Sequence, residues 1–228
     1  MTHTNTQALN IEVGDGTRVS GILMTPPEPK ACFVVAHGAG AGMRHPFMEN
    51  LANDLAARRV ATLRYQFPYM ERLSRRPDPP ALCHATVRAA ARAAGVLLPD
   101  LALLAGGKSF GGRMTSQAQA AIPLAEVRSL IFLGFPLHPP KQPSDTRAEH
   151  LSKVGIPMLF VQGARDEFAQ PELLHPVISR LGSLATLRLL PDADHSFRVP
   201  ARSHTSRAQT NSEMLDAIVA WIDRVASA

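Results

Sequence analysis

The spacing of apolar positions changes several times along the chain, and each change marks an element. Ile11 to Val13 and Arg18 to Met24 alternate apolar and polar residues around Gly14-Asp15-Gly16. A period of two flanking a glycine-rich turn predicts an antiparallel hairpin. Ala31 to Ala36 is apolar throughout, as a strand buried on both faces must be. From there the pattern predicts alternation: a helix from Phe47 to Arg58, a strand from Val60 to Arg64, an alanine-rich helix from Ala81 to Leu97, and a strand from Leu101 to Ala105. A helix over Arg113 to Ala121 comes next, with strands at Ser129 to Leu133 and Met158 to Gln162. Pro171 to Leu181 reads as a helix, Ala185 to Leu190 as a strand, and Ser212 to Val225 as a closing helix. In that last helix Leu215, Ile218, Val219 and Ile222 form one apolar stripe.

Strands alternating with helices imply an α/β fold in three layers, with a mostly parallel sheet and an antiparallel N-terminal pair. The 228 residues, 45% of them hydrophobic, suit a single domain over 1–228 with a substantial core. The Pro-rich segment Phe135 to Ser144 is too short for a separate cap domain, which implies an open site. In sheets of this kind functional groups gather beyond the carboxyl ends of the strands.

One such end carries Gly107-Lys108-Ser109-Phe110-Gly111. Strand, sharp turn and helix around G-x-S-x-G present a serine hydroxyl at the top of a sheet. The flanking glycines leave room for neighbouring elements against a strained serine. Ser109 needs a base, and the base needs an orienting acid. The strand Met158 to Gln162 leads into Gly163-Ala164-Arg165-Asp166-Glu167, which offers Asp166 as the acid and Glu167 as its alternative. The last strand leads into Asp192-Ala193-Asp194-His195-Ser196-Phe197, which offers His195 as the base. Read singly, Ser109 is a helix cap, Asp166 a loop cap and His195 one of nine histidines. Read together, each follows a later strand than the one before it.

His37-Gly38-Ala39-Gly40-Ala41-Gly42 follows the strand Ala31 to Ala36. Its small residues let a backbone N–H approach a developing oxyanion. Ala39 is the expected donor, with Gly40 as the alternative, and Phe110 supplies the second N–H. His37, Gly40, His45, Tyr65 and Lys108 are the residues expected to line the substrate site.

Other chemistries fit less well. Gly107-Lys108-Ser109 resembles the end of a phosphate-binding loop, but the first glycine of that pattern falls on Ala102, inside a strand. The histidines show no metal-ligand spacing, so no metal and no cofactor is expected. The net charge of +5 is spread along the chain, and aromatic residues make up 5%, which speaks against a nucleic-acid partner. The densest basic stretch, Arg72 to Arg76, reads as a solvated loop or as an anion site near the rim. No apolar run is long enough to cross a bilayer, and the first ten residues hold no secretory segment. Two cysteines, Cys32 and Cys83, read as reduced thiols, and a cytoplasmic location is expected.

The order Ser109, Asp166, His195 and the motif around Ser109 resemble the α/β-hydrolase superfamily, and more narrowly its dienelactone-hydrolase-like group. His37-Gly38-Ala39-Gly40, Met43 to Met48, Arg64 to Met70, Gly106 to Gly112, Gln162-Gly163 with Asp166, and His195-Ser196-Phe197 resemble the small hydrolase-like proteins related to testis-expressed protein thirty and to a subunit of the NSL complex. Dienelactone hydrolases proper use a cysteine nucleophile, so their substrate does not carry over to Ser109. The resemblance implies the fold and the triad rather than a substrate; the residues together are read as a serine hydrolase acting on a small acyl substrate of the carboxylic ester type. A non-enzymatic interaction module is the second reading, and a thioesterase or peptidase is the variant within the enzyme reading.

Overall fold

A computed structural model describes residues 3–227. The hairpin is longer than the alternation suggested: β1 (Asn5–Gly14) pairs with β2 (Thr17–Thr25). The first half of β1 is polar and lies exposed on the sheet edge, so no buried face marks it in the sequence. Asp15 and Gly16 both take positive φ at the turn. The strands β3 (Ala31–Ala36) and β4 (Val60–Tyr65) are buried along their whole length.

The helix α1 (Pro46–Ala56) lies between β3 and β4, and a short α2 (Pro68–Glu71) follows β4. The long α3 (Pro80–Leu97) buries Ala89, Ala90, Ala91 and Ala94, whose small side chains let it lie close to the sheet. The next strand, β5 (Ala102–Lys108), runs three residues beyond its apolar stretch. Gly106 and Gly107 continue it because neighbouring backbone leaves no space: a Cβ on Gly106 would stand 1.8 Å from the Ile131 carbonyl oxygen. Then come α4 (Phe110–Ala121), β6 (Val127–Leu133), β7 (Met158–Gly163), α5 (Pro171–Leu181), β8 (Ala185–Leu190) and α6 (Arg207–Ala226).

The eight strands lie in the order β1-β2-β4-β3-β5-β6-β7-β8. β2 runs antiparallel to β1 and β4, and β3 to β8 are parallel to one another. One core holds α1 and α6 against the sheet, and the other holds α3, α4 and α5. Trp221 of α6 is tied to the sheet by its indole N–H, which donates to Ser129 Oγ at 2.7 Å. α6 starts five residues earlier than its apolar stripe indicates. Its first turn is polar, and a capping box between Ser206 and Gln209 begins it. A 3-10 segment, Thr146–Lys153, was not legible in the sequence; only Ala148 and Leu151 of it are buried.

Cys32 and Cys83 are free and buried, and burial pushes both thiols up to about 12. No helix among the described residues is long and apolar enough to cross a membrane. From β3 the chain turns one way to β4 and, after α3, the other way to β5. A crevice therefore opens beyond the ends of β3 and β5, where loops diverge. His37 to Gly42 and Ser109 both lie there.

Candidate active site

Ser109 occupies the single residue between β5 and α4, at φ +50 and ψ −115. Positive φ costs a residue with a Cβ on the order of 1–3 kcal/mol, so the surroundings must hold it. They do so through the backbone: Ser109 N–H donates to the Leu133 carbonyl at 3.1 Å, and the Ser109 carbonyl accepts from Arg113 N–H at 3.1 Å. α4 also presses against the end of β3. A Cβ on Gly111 would lie 2.6 Å from the carbonyl oxygens of Ala36 and His37. The Ser109 side chain does not cap α4. Its hydroxyl instead lies 2.9 Å from His195 Nε2.

His195 sits in the loop after β8. Asp194 Oδ1 shapes that loop by accepting from Ser196 N–H at 2.8 Å and Arg198 N–H at 2.9 Å. On its other side, His195 Nδ1 lies 2.7 Å from Asp166 Oδ2. A carboxylate facing Nδ1 places the ring proton there and leaves Nε2 free to accept from the serine hydroxyl. Asp166 is 1% exposed. Its Oδ1 accepts from Phe168 N–H at 2.8 Å, and its Oδ2 also accepts from Gln162 Nε2 at 2.6 Å. The alternative acid, Glu167, is exposed and takes no part in this chain of bonds. The loops after β7 and β8 meet closely because residue 163 is glycine: a Cβ there would stand 2.4 Å from the Ala193 carbonyl oxygen.

Ala39 and Gly40 are exposed at the crevice rim. Gly40 N–H donates to the Tyr69 hydroxyl at 3.0 Å. The N–H groups of Ala39 and Phe110 have no protein partner among the described residues. The Phe110 ring packs edge-on against Phe67 and Tyr69, with centroids 5.5 and 6.4 Å away.

Four residues expected to line the substrate site do other work. His37 is fully buried: its Nδ1–H donates to the Gly38 carbonyl at 2.7 Å, and its Nε2 accepts from Phe67 N–H at 3.2 Å. Burial lowers its pKa to about 4, which keeps the ring neutral. It is a bracket between two rim loops. Tyr65 is fully buried in the core, because β4 runs one residue farther than its apolar pattern and turns this side chain inward. Lys108 reaches behind Ser109. Its Nζ donates to the His195 carbonyl at 2.6 Å and lies 5.2 Å from the centre of the Phe197 ring. Burial lowers its pKa to about 8, against the opposing pull of Asp166 and Asp194. His45 is exposed and caps α1, with Nδ1 accepting from Phe47 N–H at 3.2 Å. In the basic loop, Arg72 pairs with Asp78, whose other oxygen accepts from Tyr69 N–H at 2.7 Å.

Gln162 and Phe168 were missed as site residues by the sequence reading. Gln162 is fully buried and bridges the Asp166 carboxylate to Phe135 N–H, the latter at 2.9 Å. Its signal was a lone amide ending an apolar strand. Phe168 packs on the His195 ring at 4.4 Å, and nothing in its sequence surroundings marked it.

The alpha/beta hydrolase domain family has a model that matches residues 29–223. Solved structures share the fold over almost the whole chain. A dienelactone hydrolase from Anabaena variabilis has a TM-score of 0.79 and 19% identity, covering 98% of this chain and 99% of that one. XC6422 from Xanthomonas campestris, an α/β serine hydrolase without a lid, has a TM-score of 0.72 and 20% identity, covering 97% and 96%. The esterase domain of a Rhodothermus marinus protein has a TM-score of 0.70 and 17% identity, covering 97% and 99%. The extent of the family match, together with this sheet order, makes the chain a member of the alpha/beta hydrolase family.

Proposed function

We propose that this protein is a serine hydrolase that cleaves a small acyl substrate of the carboxylic ester type through an acyl-enzyme. The unbroken line from Asp166 through His195 to Ser109, with contacts of 2.7 and 2.9 Å, carries the reading. Ser109 Oγ attacks the acyl carbon and gives its proton to His195 Nε2. The carbonyl oxygen becomes an oxyanion, held by the free N–H groups of Phe110 and Ala39. The tetrahedral intermediate collapses, the bond to the leaving oxygen breaks, and Nε2 returns the proton to that oxygen. Water then repeats the sequence: it loses a proton to Nε2, attacks the acyl carbon and releases the acid, and Ser109 regains its proton. Asp166 holds the ring tautomer and stabilises the imidazolium.

Ala39 is the better loop donor because Gly40 N–H is already committed to Tyr69. Removing one oxyanion donor costs about 3 kcal/mol of transition-state stabilisation. The finer kinship with the proteins related to testis-expressed protein thirty rests on the sequence motifs alone and assigns no substrate.

Two measurements test the reading. A fluorophosphonate probe is expected to label wild type at Ser109 and to leave Ser109→Ala unlabelled. Wild type is expected to hydrolyse p-nitrophenyl acetate, with the rate falling to background in Ser109→Ala. Equal rates in the two folded proteins would overturn the mechanism. Failure of both assays in folded protein would favour the interaction module.

A further inference from the structure

The loop from His37 to Met43 holds three glycines, and two of them, Gly40 and Gly42, take φ values of +68 and +77. A loop of this composition has little stiffness of its own, so its shape must be fixed from outside. The stretch after β4 fixes it at three places. Phe67 N–H donates to His37 Nε2 at 3.2 Å, Gly40 N–H donates to the Tyr69 hydroxyl at 3.0 Å, and Met43 N–H donates to Gln66 Oε1 at 2.8 Å. The first and last of these hold the ends of the loop. Tyr69 holds its middle, one residue beyond Ala39.

Tyr69 is itself anchored. It is fully buried, and its N–H, in the first turn of α2, donates to Asp78 Oδ2 at 2.7 Å. The Asp78 side chain is 5% exposed and pairs with Arg72. The Tyr69 ring also meets the Phe110 ring edge-on, with 6.4 Å between centroids and 90° between planes. One buried side chain thus touches both halves of the proposed oxyanion hole. Its oxygen takes the N–H next to Ala39, and its ring packs on the residue that carries the other N–H. Oxyanion donors act by standing at the right separation before charge develops. A side chain that sets this separation lowers the barrier without touching the substrate.

We propose that Tyr69 is a positioning residue that sets the spacing of the Ala39 and Phe110 N–H groups, through its hydroxyl on Gly40 and its ring on Phe110. This rests on the serine-hydrolase reading. Burial raises the pKa of the phenol, so the hydroxyl stays neutral while its oxygen accepts from Gly40. Loss of that oxygen frees the Gly40 N–H. A glycine at positive φ then turns at little cost and carries Ala39 with it.

Tyr69→Phe removes the hydroxyl and keeps the ring. It is expected to lower kcat on p-nitrophenyl acetate about tenfold while KM stays within about twofold. A trifluoromethyl ketone forms an adduct with Ser109 that carries an oxyanion, and its affinity is expected to fall by the same factor as kcat/KM. The pH dependence of kcat/KM, set by His195, is expected to stay unchanged. Tyr69→Leu also takes the ring from Phe110 and is expected to lower kcat roughly threefold further. A merely structural role would lower thermal stability without the split between kcat and KM. Wild-type kcat in Tyr69→Phe, or a fall in kcat without a matching loss of ketone affinity, would overturn the proposal. Equal losses in Tyr69→Phe and Tyr69→Leu would overturn the part given to the ring. Exchange of the Gly40 amide hydrogen, followed by NMR in the resting protein, is expected to be several-fold faster in Tyr69→Phe, and an unchanged rate would refute the hydroxyl's hold on the loop. Full activity of Tyr69→Phe beside an active wild type sinks this proposal alone. Folded wild type that neither cleaves the ester nor takes the fluorophosphonate label sinks the hydrolase reading, and this proposal with it.

Discussion

Lys108 Nζ donates to the main-chain carbonyl of His195 at 2.6 Å, so the residue before Ser109 braces the loop that carries His195. The same ammonium lies against Phe197, two residues beyond His195. A hydrogen bond from a charged donor contributes roughly 1.5–3 kcal/mol. Lys108→Met is expected to lower kcat on a neutral ester about tenfold, while KM stays within about twofold, measured by steady-state kinetics. A loss confined to KM would return Lys108 to the substrate site.

The buried ammonium also gives a stability signature. Its pKa falls from 10.5 to about 8 on folding. Between those values the unfolded chain holds the proton and the folded chain does not, so stability rises with pH. Wild type is therefore expected to gain stability relative to Lys108→Met as pH rises from about 8 toward 10.5. Urea melts of both proteins across that window check it.

His37 gives the opposite end of the pH range. Its pKa falls from 6.5 to about 4 on folding, since burial opposes the charge more strongly than the hydrogen bond to the Gly38 carbonyl favours it. The unfolded chain takes up the proton first as pH falls. The contribution is fully present above pH 6.5 and is lost as pH drops toward 4. It amounts to about 3 kcal/mol for this one residue. His37→Gln is expected to be less stable at pH 7 and to show a shallower loss between pH 6.5 and 4, read from denaturant midpoints.

The positive φ of Ser109 predicts a split between two substitutions. Ser109→Gly removes the Cβ and its strain, and is expected to raise stability by about 1 kcal/mol, or roughly 2–4 °C in Tm. Ser109→Ala keeps the Cβ and is expected to leave Tm close to wild type. Calorimetry of the two variants separates stored backbone strain from loss of the hydroxyl.

Gln162 joins the Asp166 carboxylate to Phe135 N–H in a buried site. Gln162→Leu leaves that N–H without a partner and Asp166 with one donor fewer. The expected cost is roughly 1–3 kcal/mol in stability, together with a fall in kcat of about tenfold. Thermal melts and ester kinetics measure the two effects separately.

Local patterning made the strands, the helices and the order Ser109, Asp166, His195 legible, because burial imposes a period of two or 3.6 on any chain that packs. The pattern failed where burial is one-sided or absent: the exposed start of β1, the polar first turn of α6, and the 3-10 segment. It also ended β5 too early at Ala105, because glycine carries no apolar signal while the backbone of Ile131 demands it. Residue type alone named His37, Tyr65 and Lys108 as wall residues of a pocket. Only the folded arrangement decided that His37 brackets two loops, that Tyr65 is core, and that Lys108 holds the His195 loop from behind. The reason is that a side chain's partner is set by strands far apart in sequence, and its direction by where a strand stops. Chain order could therefore nominate Asp166 and His195, while their meeting at 2.7 Å depended on β7 and β8 lying side by side with a glycine between their loops.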